Sequence, residues 1–235
     1  MLQQTQVARV LEAYAPFLKR FPTPRALARA SLGEVLRVWS GLGYNRRARD
    51  LHRIARAHPA GIPRSVAELD ALPGIGAYTA AAVACFAHGD AVAFADTNIR
   101  RVLGRAVLGR AATEREAVAI DAELMPRRRS RDWHHALMDV GAIFCRSRKP
   151  RCDECPVRPV CRYRGGAEPA RRRPPSFPTS DRRIRGAIVR ALTVSPSTVP
   201  ELRRLIGDPR VPDLIGALAT EGIVETSGKR VHLPA

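Results

Sequence analysis

Apolar residues recur at helical spacing through most of the first 160 positions of the chain. Repeats every three or four residues are typical of helices with one buried face. Short segments with glycine or proline separate these repeats, and neither βαβ alternation nor a glycine-rich nucleotide loop is visible. The pattern predicts an all-α bundle, with helices at Val7–Leu18, Leu32–Trp39, Ala48–Ala57, Val66–Leu72, Thr79–Ala87, Asn98–Val107, Glu114–Leu124 and Trp133–Phe144.

The pattern changes after residue 163, which predicts a first domain at 1–163. Residues 164–181 are basic, proline-rich and aperiodic, as in a linker. Residues 182–235 hold three helical patterns, followed by two short strands around the Ser227-Gly228 turn. Three helices and a β-wing resemble a small winged helix. Contact with DNA and a role as a packing appendage are equally open for this module.

Composition narrows the classes of function. The chain has 235 residues, 45% of them hydrophobic, and a formal net charge of +18. A surface this positive attracts polyanions by counterion release, so nucleic acid is the favoured partner. No apolar run approaches the roughly 18 residues of a membrane span, and the first residues do not resemble a secretory signal. We therefore expect a cytoplasmic, nucleoid-associated protein.

Four cysteines within 17 residues, at the spacing C-x6-C-x2-C-x5-C, suit one metal centre. A disulfide pair is disfavoured for an intracellular protein. Thiolate chemistry alone leaves zinc and an iron–sulfur cluster open. The four residues are Cys145, Cys152, Cys155 and Cys161. The fifth, Cys85, lies in an apolar helical pattern and is expected to be a small buried residue.

A second motif is Leu-Pro-Gly-Ile-Gly-Ala-Tyr at residues 72–78. Gly74 and Gly76 permit a tight turn between two helices, and the N-terminal N–H groups of the second helix can bind a phosphate. By itself the motif also fits an ordinary helix–helix turn. Asp96 follows before another helix, where a helix N-cap is the alternative to a catalytic role.

Together, the glycine turn, Asp96 and the cysteine spacing resemble the helix-hairpin-helix DNA glycosylases, and most closely the MutY-like adenine glycosylases related to endonuclease III. The resemblance covers roughly residues 1–163. It implies a two-lobed helical fold with a [4Fe–4S] cluster held by the four cysteines. It also implies that Asp96 stabilises the positive charge on deoxyribose during cleavage of the N-glycosidic bond. Tyr78 stands where bifunctional relatives carry a Schiff-base lysine, so a monofunctional enzyme is expected.

The resemblance also assigns DNA contacts at the amino terminus. It implies that Gln4 intercalates beside the flipped nucleotide, and that Gln3 and Thr5 contact neighbouring bases. Tyr44 would stack against the base opposite the target. The remaining residues implied are Asn98, as a DNA contact, and Leu2 and Val7, as the lining of the adenine pocket.

Two departures from the family qualify this interpretation. The family's general-acid glutamate lies two positions before the residue matching Met1. Either the true start lies upstream, which we expect, or this is a shortened and impaired protein. As given, the 235-residue chain is expected to have impaired activity, exposed apolar helix faces and poor solubility. Residues 182–235 also show no Nudix-like pattern, which leaves recognition of 8-oxoguanine open.

The interpretation is therefore a monomeric repair glycosylase that removes adenine opposite 8-oxoguanine or guanine in double-stranded DNA. Two alternatives remain open at this point. One is a thymine or uracil mismatch glycosylase, and the other is a non-catalytic protein that binds damaged DNA.

Overall fold

A computed structural model describes residues 1–166 and 177–235. These residues form mostly α-helix with a small antiparallel sheet. The helices, numbered along the chain, are α1 Val7–Arg20, α2 Pro24–Arg29, α3 Leu32–Trp39, α4 Arg46–Ala57, α5 Val66–Asp70, α6 Ala77–Val83, α7 Thr97–Leu103, α8 Glu114–Leu124, α9 Ser130–Ile143, α10 Asp181–Val194, α11 Val199–Ile206 and α12 Val211–Thr220. The strands are β1 Ser197–Thr198, β2 Glu225–Ser227 and β3 Arg230–His232.

Of the described residues, 1–63 and 177–235 form one compact unit, and 64–166 form another. Much of the predicted linker, 167–176, lies outside the described residues. The compact units are divided differently from the predicted domains, because the carboxyl-terminal segment packs with the first 63 residues. The predicted boundary at 163 stays a prediction.

One hydrophobic core joins the two ends of the chain within the first unit. Leu36 and Trp39 of α3 belong to the same buried cluster as Ile184 and Ile188 of α10 and Leu218 of α12. Burying each such side chain contributes about 1.5–3 kcal/mol. The carboxyl-terminal helices are thus an integral layer of this unit.

The carboxyl-terminal sheet has the order β1-β3-β2, with both pairs antiparallel. Val231 is the central, buried residue, paired with Ser197 on one side and Thr226 on the other. Three helices and this small sheet confirm the predicted winged-helix-like architecture.

Helix α1 is amphipathic but only partly covered. Val10 and Phe17 face the core, whereas Val7, Leu11 and Tyr14 on an adjacent face are exposed, with Leu11 at 69% of its full area. The expected exposure of an apolar helix face is therefore observed. No described helix is long and apolar enough to cross a membrane.

The second unit holds α5 to α9, with two short π-helical turns, Ala84–His88 and Gly104–Leu108, that extend α6 and α7. Its largest buried cluster includes Cys85, Phe94, Ile99 and Leu103. Cys85 is fully buried, as expected, and lies near Ser130 and His134.

Candidate active site and DNA interface

The glycine turn joins α5 to α6 in the second unit. Gly74 has a φ of 75°, in the left-handed region that glycine adopts without strain. Gly76 is the N-cap of α6, and a Cβ built on it would meet no atom of the described chain within 4 Å. The turn is therefore open where the first N–H groups of α6 begin. This arrangement suits the approach of a phosphate.

Asp96 caps the amino terminus of α7. Its Oδ1 accepts hydrogen bonds from the backbone N–H groups of Asn98, at 2.8 Å, and Ile99, at 2.7 Å. Its Oδ2 accepts from Asn98 Nδ2 at 3.1 Å. Asp96 is therefore a helix N-cap. This structural role is compatible with a catalytic role for the same carboxylate. The cap fixes the direction of a half-buried carboxylate that keeps accepting capacity on Oδ2.

Tyr78 connects the glycine turn to the aspartate. Its ring packs edge-on against Phe94, with centroids 5.6 Å apart. Burial, and then the nearby Asp96 carboxylate, raise the pKa of the Tyr78 hydroxyl. The hydroxyl is therefore a neutral hydrogen-bond donor at neutral pH. The turn, Tyr78 and Asp96 lie within one compact unit.

A buried polar network supports the segment that leads into Asp96. Asp121, fully buried on α8, accepts hydrogen bonds from Phe94 N (3.0 Å), His134 Nε2 (2.9 Å) and Trp133 Nε1 (2.6 Å). The His134 ring stacks on Phe94 with centroids 3.9 Å apart. The network fixes Phe94, two residues before Asp96. No sequence signal identifies it, because a single aspartate in a helical pattern is usually solvent-exposed.

The side chain of Asn98 forms hydrogen bonds within the protein. Besides its bond to Asp96, its Oδ1 accepts from Arg101 Nη2 at 2.6 Å. Arg101 also donates to the carbonyl oxygens of Gly141, at 2.7 Å, and Cys145. Asn98 therefore orients the aspartate carboxylate, and its predicted contact with DNA stays a prediction.

All five cysteines lie in the described part of the chain, and none of them forms a disulfide there. Cys152 and Cys155 flank a single 3₁₀ turn, and Cys161 follows a second one. The buried Arg105 connects this loop to the helices: its Nη1 lies 3.4 Å from Cys145 Sγ, and its carbonyl oxygen lies 3.7 Å from Cys161 Sγ.

As arranged, the described residues contain no group of three or more His, Cys, Asp or Glu side chains that could hold a metal ion. The donor set itself fits an iron–sulfur cluster, since four half-buried thiols occupy one short loop. A buried guanidinium beside Cys145 also suits thiolate charge. The metal centre therefore stays a prediction.

The predicted DNA-contacting residues Gln3, Gln4 and Thr5 lie in a turn of the first unit, and Arg47 holds this turn. This guanidinium donates to the carbonyl oxygens of Met1 and Gln3, and to Thr5 Oγ1 at 2.8 Å. Gln4, at the top of the turn, has a φ of 54°, which is strained for a residue with a side chain. The predicted intercalator is thus held in an unusual backbone conformation. The predicted pocket residues Leu2 and Val7 are both exposed.

Arg47 also holds the loop that carries Tyr44. It donates to the carbonyl oxygens of Leu42, at 3.1 Å, and Gly43, at 3.2 Å. Its Cζ lies 5.2 Å from the Tyr44 ring centroid. Tyr44 has a φ of 48° and is 37% exposed. Gln3, Gln4, Thr5 and Tyr44 therefore belong to two loops with one shared anchor.

Comparison with known proteins identifies the family of this chain. Residues 1–127 match the model of the HhH-GPD superfamily base excision DNA repair proteins. The chain belongs to this superfamily. It is 41% identical to an adenine DNA glycosylase of Mycolicibacterium smegmatis over an alignment 239 residues long, which covers 96% of this chain and 81% of that relative. This HhH-GPD protein is thus also a member of the adenine DNA glycosylase family, and hence a DNA N-glycosylase of base excision repair. The predicted family and enzyme class are confirmed.

Two solved structures share the fold of this HhH-GPD protein. A thermostable thymine-DNA glycosylase is 29% identical, with a TM-score of 0.60 over 69% of this chain and 79% of that one. Endonuclease III in a non-covalent complex with DNA is 25% identical, with a TM-score of 0.61 over 68% of this chain and 78% of that one. The predicted helix-hairpin-helix glycosylase fold is confirmed.

One expectation was wrong. The resemblance was expected to end near residue 163, but the match to the mycobacterial relative covers 96% of the chain and so includes most of the carboxyl-terminal segment. The physical reason is visible in the first unit, where α10 and α12 share a hydrophobic core with α3.

Proposed function

We propose that this glycosylase removes adenine mispaired with 8-oxoguanine or guanine, by hydrolysis and without lyase activity. The observation that carries the proposal is the meeting of three features in one compact unit. These are the open glycine turn, the Tyr78 hydroxyl and the capped Asp96 carboxylate.

In this proposal Asp96 acts on the sugar. Cleavage of the N-glycosidic bond leaves positive charge on deoxyribose, and a carboxylate beside C1′ lowers the energy of that state. The two backbone N–H groups that cap Oδ1 hold the carboxylate in one orientation, so little reorganisation is needed during the reaction. The neutral Tyr78 hydroxyl donates a hydrogen bond near the same sugar.

The absence of lyase activity follows from the side chain at position 78. A phenol cannot form a Schiff base with the sugar aldehyde, so water is the nucleophile that completes the reaction. The expected products are free adenine and an abasic site in an unbroken strand.

Double-stranded DNA is the proposed partner, bound by a monomer in the cytoplasm. Phosphate approaches the first turn of α6, while Gln4 fills the space of the extruded nucleotide and Tyr44 stacks on the opposite base. Gln3, Thr5 and Asn98 are proposed as further DNA contacts, and Leu2 and Val7 as the lining of the adenine pocket. The formal charge of +18 supports a polyanionic partner.

We also propose that a [4Fe–4S] cluster binds Cys145, Cys152, Cys155 and Cys161. When bound, it would cross-link the loop that contains Arg148 and Lys149 and present these cations to phosphate. The glycosidic cleavage described above does not involve the cluster.

The test uses a duplex with a single A·8-oxoguanine pair and a labelled A strand, followed by hot alkali to cut at abasic sites. The assay uses the 235-residue chain in excess over the duplex, so that slow base release is also detected. Strand cutting after alkali supports the proposal, and uncut DNA contradicts it. Cutting without alkali would contradict monofunctional chemistry.

Asp96→Asn is the matched variant for this assay. Asparagine caps helices as well as aspartate does, so helix α7 is retained while the negative charge is removed. Base release should fall by about 100-fold or more, with little change in the thermal midpoint of unfolding. An A·G duplex and a G·T duplex complete the comparison. The similarity to a thymine-DNA glycosylase makes thymine release the second candidate activity, and release from G·T alone would favour it.

A further inference from the structure

The carboxyl-terminal segment supplies a side chain to Tyr44, the residue proposed to stack on the base opposite the target. Arg182, in the first turn of α10, donates a hydrogen bond from Nη1 to the Tyr44 hydroxyl. Its Cζ also lies 5.4 Å from the Tyr44 ring centroid. Since Arg47 lies 5.2 Å from the same centroid, two guanidinium groups contact one exposed aromatic ring.

The helix that carries Arg182 is packed into the core of the first unit. Helix α10 is fixed in the core of the first unit by Ile184, Ile188 and Leu192, which are all buried. Arg182 is therefore presented to Tyr44 from a packed helix rather than from a mobile tail. The contact joins residues 138 positions apart in the sequence.

Further contacts hold the rest of the Tyr44 segment from the same side. Glu221, at the end of α12, accepts from Arg46 Nη2 and from Arg185 Nη2, each at 2.5 Å. Its carbonyl oxygen accepts from Arg49 Nη1 at 2.7 Å. The carboxyl-terminal segment thus contacts positions 44, 46 and 49, so the geometry of this loop depends on both ends of the chain.

The charges support a role in DNA recognition. Among the described residues, the ion pairs of this unit include Arg46 and Arg185 but do not include Arg182 or Arg47. Two arginines with no carboxylate partner therefore lie against a partly exposed tyrosine. A pair of this kind is stabilised when a phosphate or an electron-rich base approaches.

We propose that Arg182 is a positioning residue for recognition of the strand opposite the excised base. It holds the hydroxyl and ring of Tyr44 in the orientation that stacks on that base, and the segment 177–235 is thereby part of the DNA-reading surface. This inference rests on the proposed function, because it assigns a partner to the opposite-strand contact of that same enzyme.

The test measures binding to an uncleavable duplex that carries 2′-fluoro-adenosine opposite 8-oxoguanine, compared with the same duplex paired A·T. Arg182→Ala should weaken binding to the A·8-oxoguanine duplex by about fivefold to tenfold, the sum of one hydrogen bond and one cation–π contact. Binding to the A·T duplex should change by less than about twofold, because the adenine stays paired there and Tyr44 does not stack on the opposite base. Arg182→Lys, which keeps a cation and a donor, should recover part of the loss.

Arg190→Ala is the matched control, because Arg190 is an exposed arginine on the same helix. It should leave both affinities unchanged, and the thermal midpoints of both alanine variants should match that of the unsubstituted protein. A double-mutant cycle with Tyr44→Ala then tests the route of the effect. If Arg182 acts through Tyr44, its removal costs no further affinity in the Tyr44→Ala background.

Two results would overturn the inference. One is an equal loss of affinity with and without Tyr44, together with a salt dependence reduced by about one phosphate contact, which would make Arg182 a direct phosphate ligand. The other is unchanged binding by Arg182→Ala while the unsubstituted protein still prefers the A·8-oxoguanine duplex. If the unsubstituted protein shows no such preference, the proposed function fails and this inference fails with it.

Discussion

Gly141 of α9 is the position where one added methyl group should reach the candidate active site. A Cβ at this position would lie 2.5 Å from Asn98 Cβ, 3.0 Å from Asn98 Cα and 3.2 Å from its carbonyl carbon. Two of these atoms are backbone at the start of α7, so relief of the clash requires the helix to move by about 1 Å. Asn98 donates to Asp96 Oδ2, and the movement is therefore passed to the carboxylate.

The expected magnitudes follow from two opposing terms. Overpacking of a well-packed site costs about 1–3 kcal/mol, whereas alanine gains about 1 kcal/mol over glycine inside a helix. Gly216 of α12 provides the control, because a Cβ there meets no atom of the described chain within 4 Å. Both variants gain the stability of alanine in a helix, but only Gly141→Ala pays the cost of overpacking. Their free energies of unfolding should therefore differ by that cost, about 1–3 kcal/mol. In a chain of this size that difference separates their thermal midpoints by about 2–12 °C.

Catalysis should be more sensitive than stability. A misplacement of about 1 Å in reacting groups lowers rates by about 100-fold, so we expect Gly141→Ala to slow single-turnover release of adenine by about 10- to 100-fold. Gly216→Ala should keep the unsubstituted rate. Equal thermal midpoints and equal rates for the two variants would refute the conclusion that α9 sets the position of Asp96.

Further predictions follow from the buried polar groups, the ion pairs and the cysteines. Asp121→Asn places an amide donor against groups that donate to this carboxylate, so denaturant titration should show a loss of about 3 kcal/mol; an unchanged unfolding curve would contradict the network. The Arg46 guanidinium beside Glu221 holds the pKa of that carboxyl at about 2, below its ordinary value of 4.5. Its stabilising effect is therefore complete above about pH 4.5 and lost as the pH falls through about 2, and the stability difference between the unsubstituted protein and Glu221→Gln should shrink over that range. A constant difference would show that the ion pair is not its source. Reconstituted protein should hold about four iron atoms per chain with the visible absorption of a [4Fe–4S] cluster. Cys152→Ser should lose both while Cys85→Ala keeps them, and iron retained by Cys152→Ser would argue against that ligand.

The helical pattern predicted most of the fold because each amphipathic helix carries its own period. The predicted Leu32–Trp39 and Glu114–Leu124 helices are observed with the same bounds. Helix α2 was missed, although Thr23 accepts a hydrogen bond from Ala26 N and Pro24 occupies the first position of the helix. Its start falls in one of the short proline-containing segments that separate the predicted helices. Proline at the first helical position, after a threonine cap, is a helix start signal.

The parts of the candidate site that could be predicted are those whose residues lie close together in the sequence. The glycine turn and the aspartate that caps helix α7 both depend on neighbouring residues, and the structure places Tyr78 and Asp96 in one compact unit. The Asp121 network and the Arg182 contact join residues far apart in the sequence, so no local pattern indicates them. These contacts depend on how the helices pack against one another, and the packing is determined by many core residues together.

Binding of a charged sugar mimic tests the central claim most directly, since it asks whether the Asp96 carboxylate stabilises positive charge at C1′. The measurement compares two duplexes in which a cationic pyrrolidine or a neutral tetrahydrofuran replaces the target nucleoside opposite 8-oxoguanine. The protein should bind the cationic duplex at least about tenfold more tightly, and Asp96→Asn should abolish that preference while binding the neutral duplex as before. Equal affinity of the unsubstituted protein for the two duplexes, or a preference that survives in Asp96→Asn, would contradict the account.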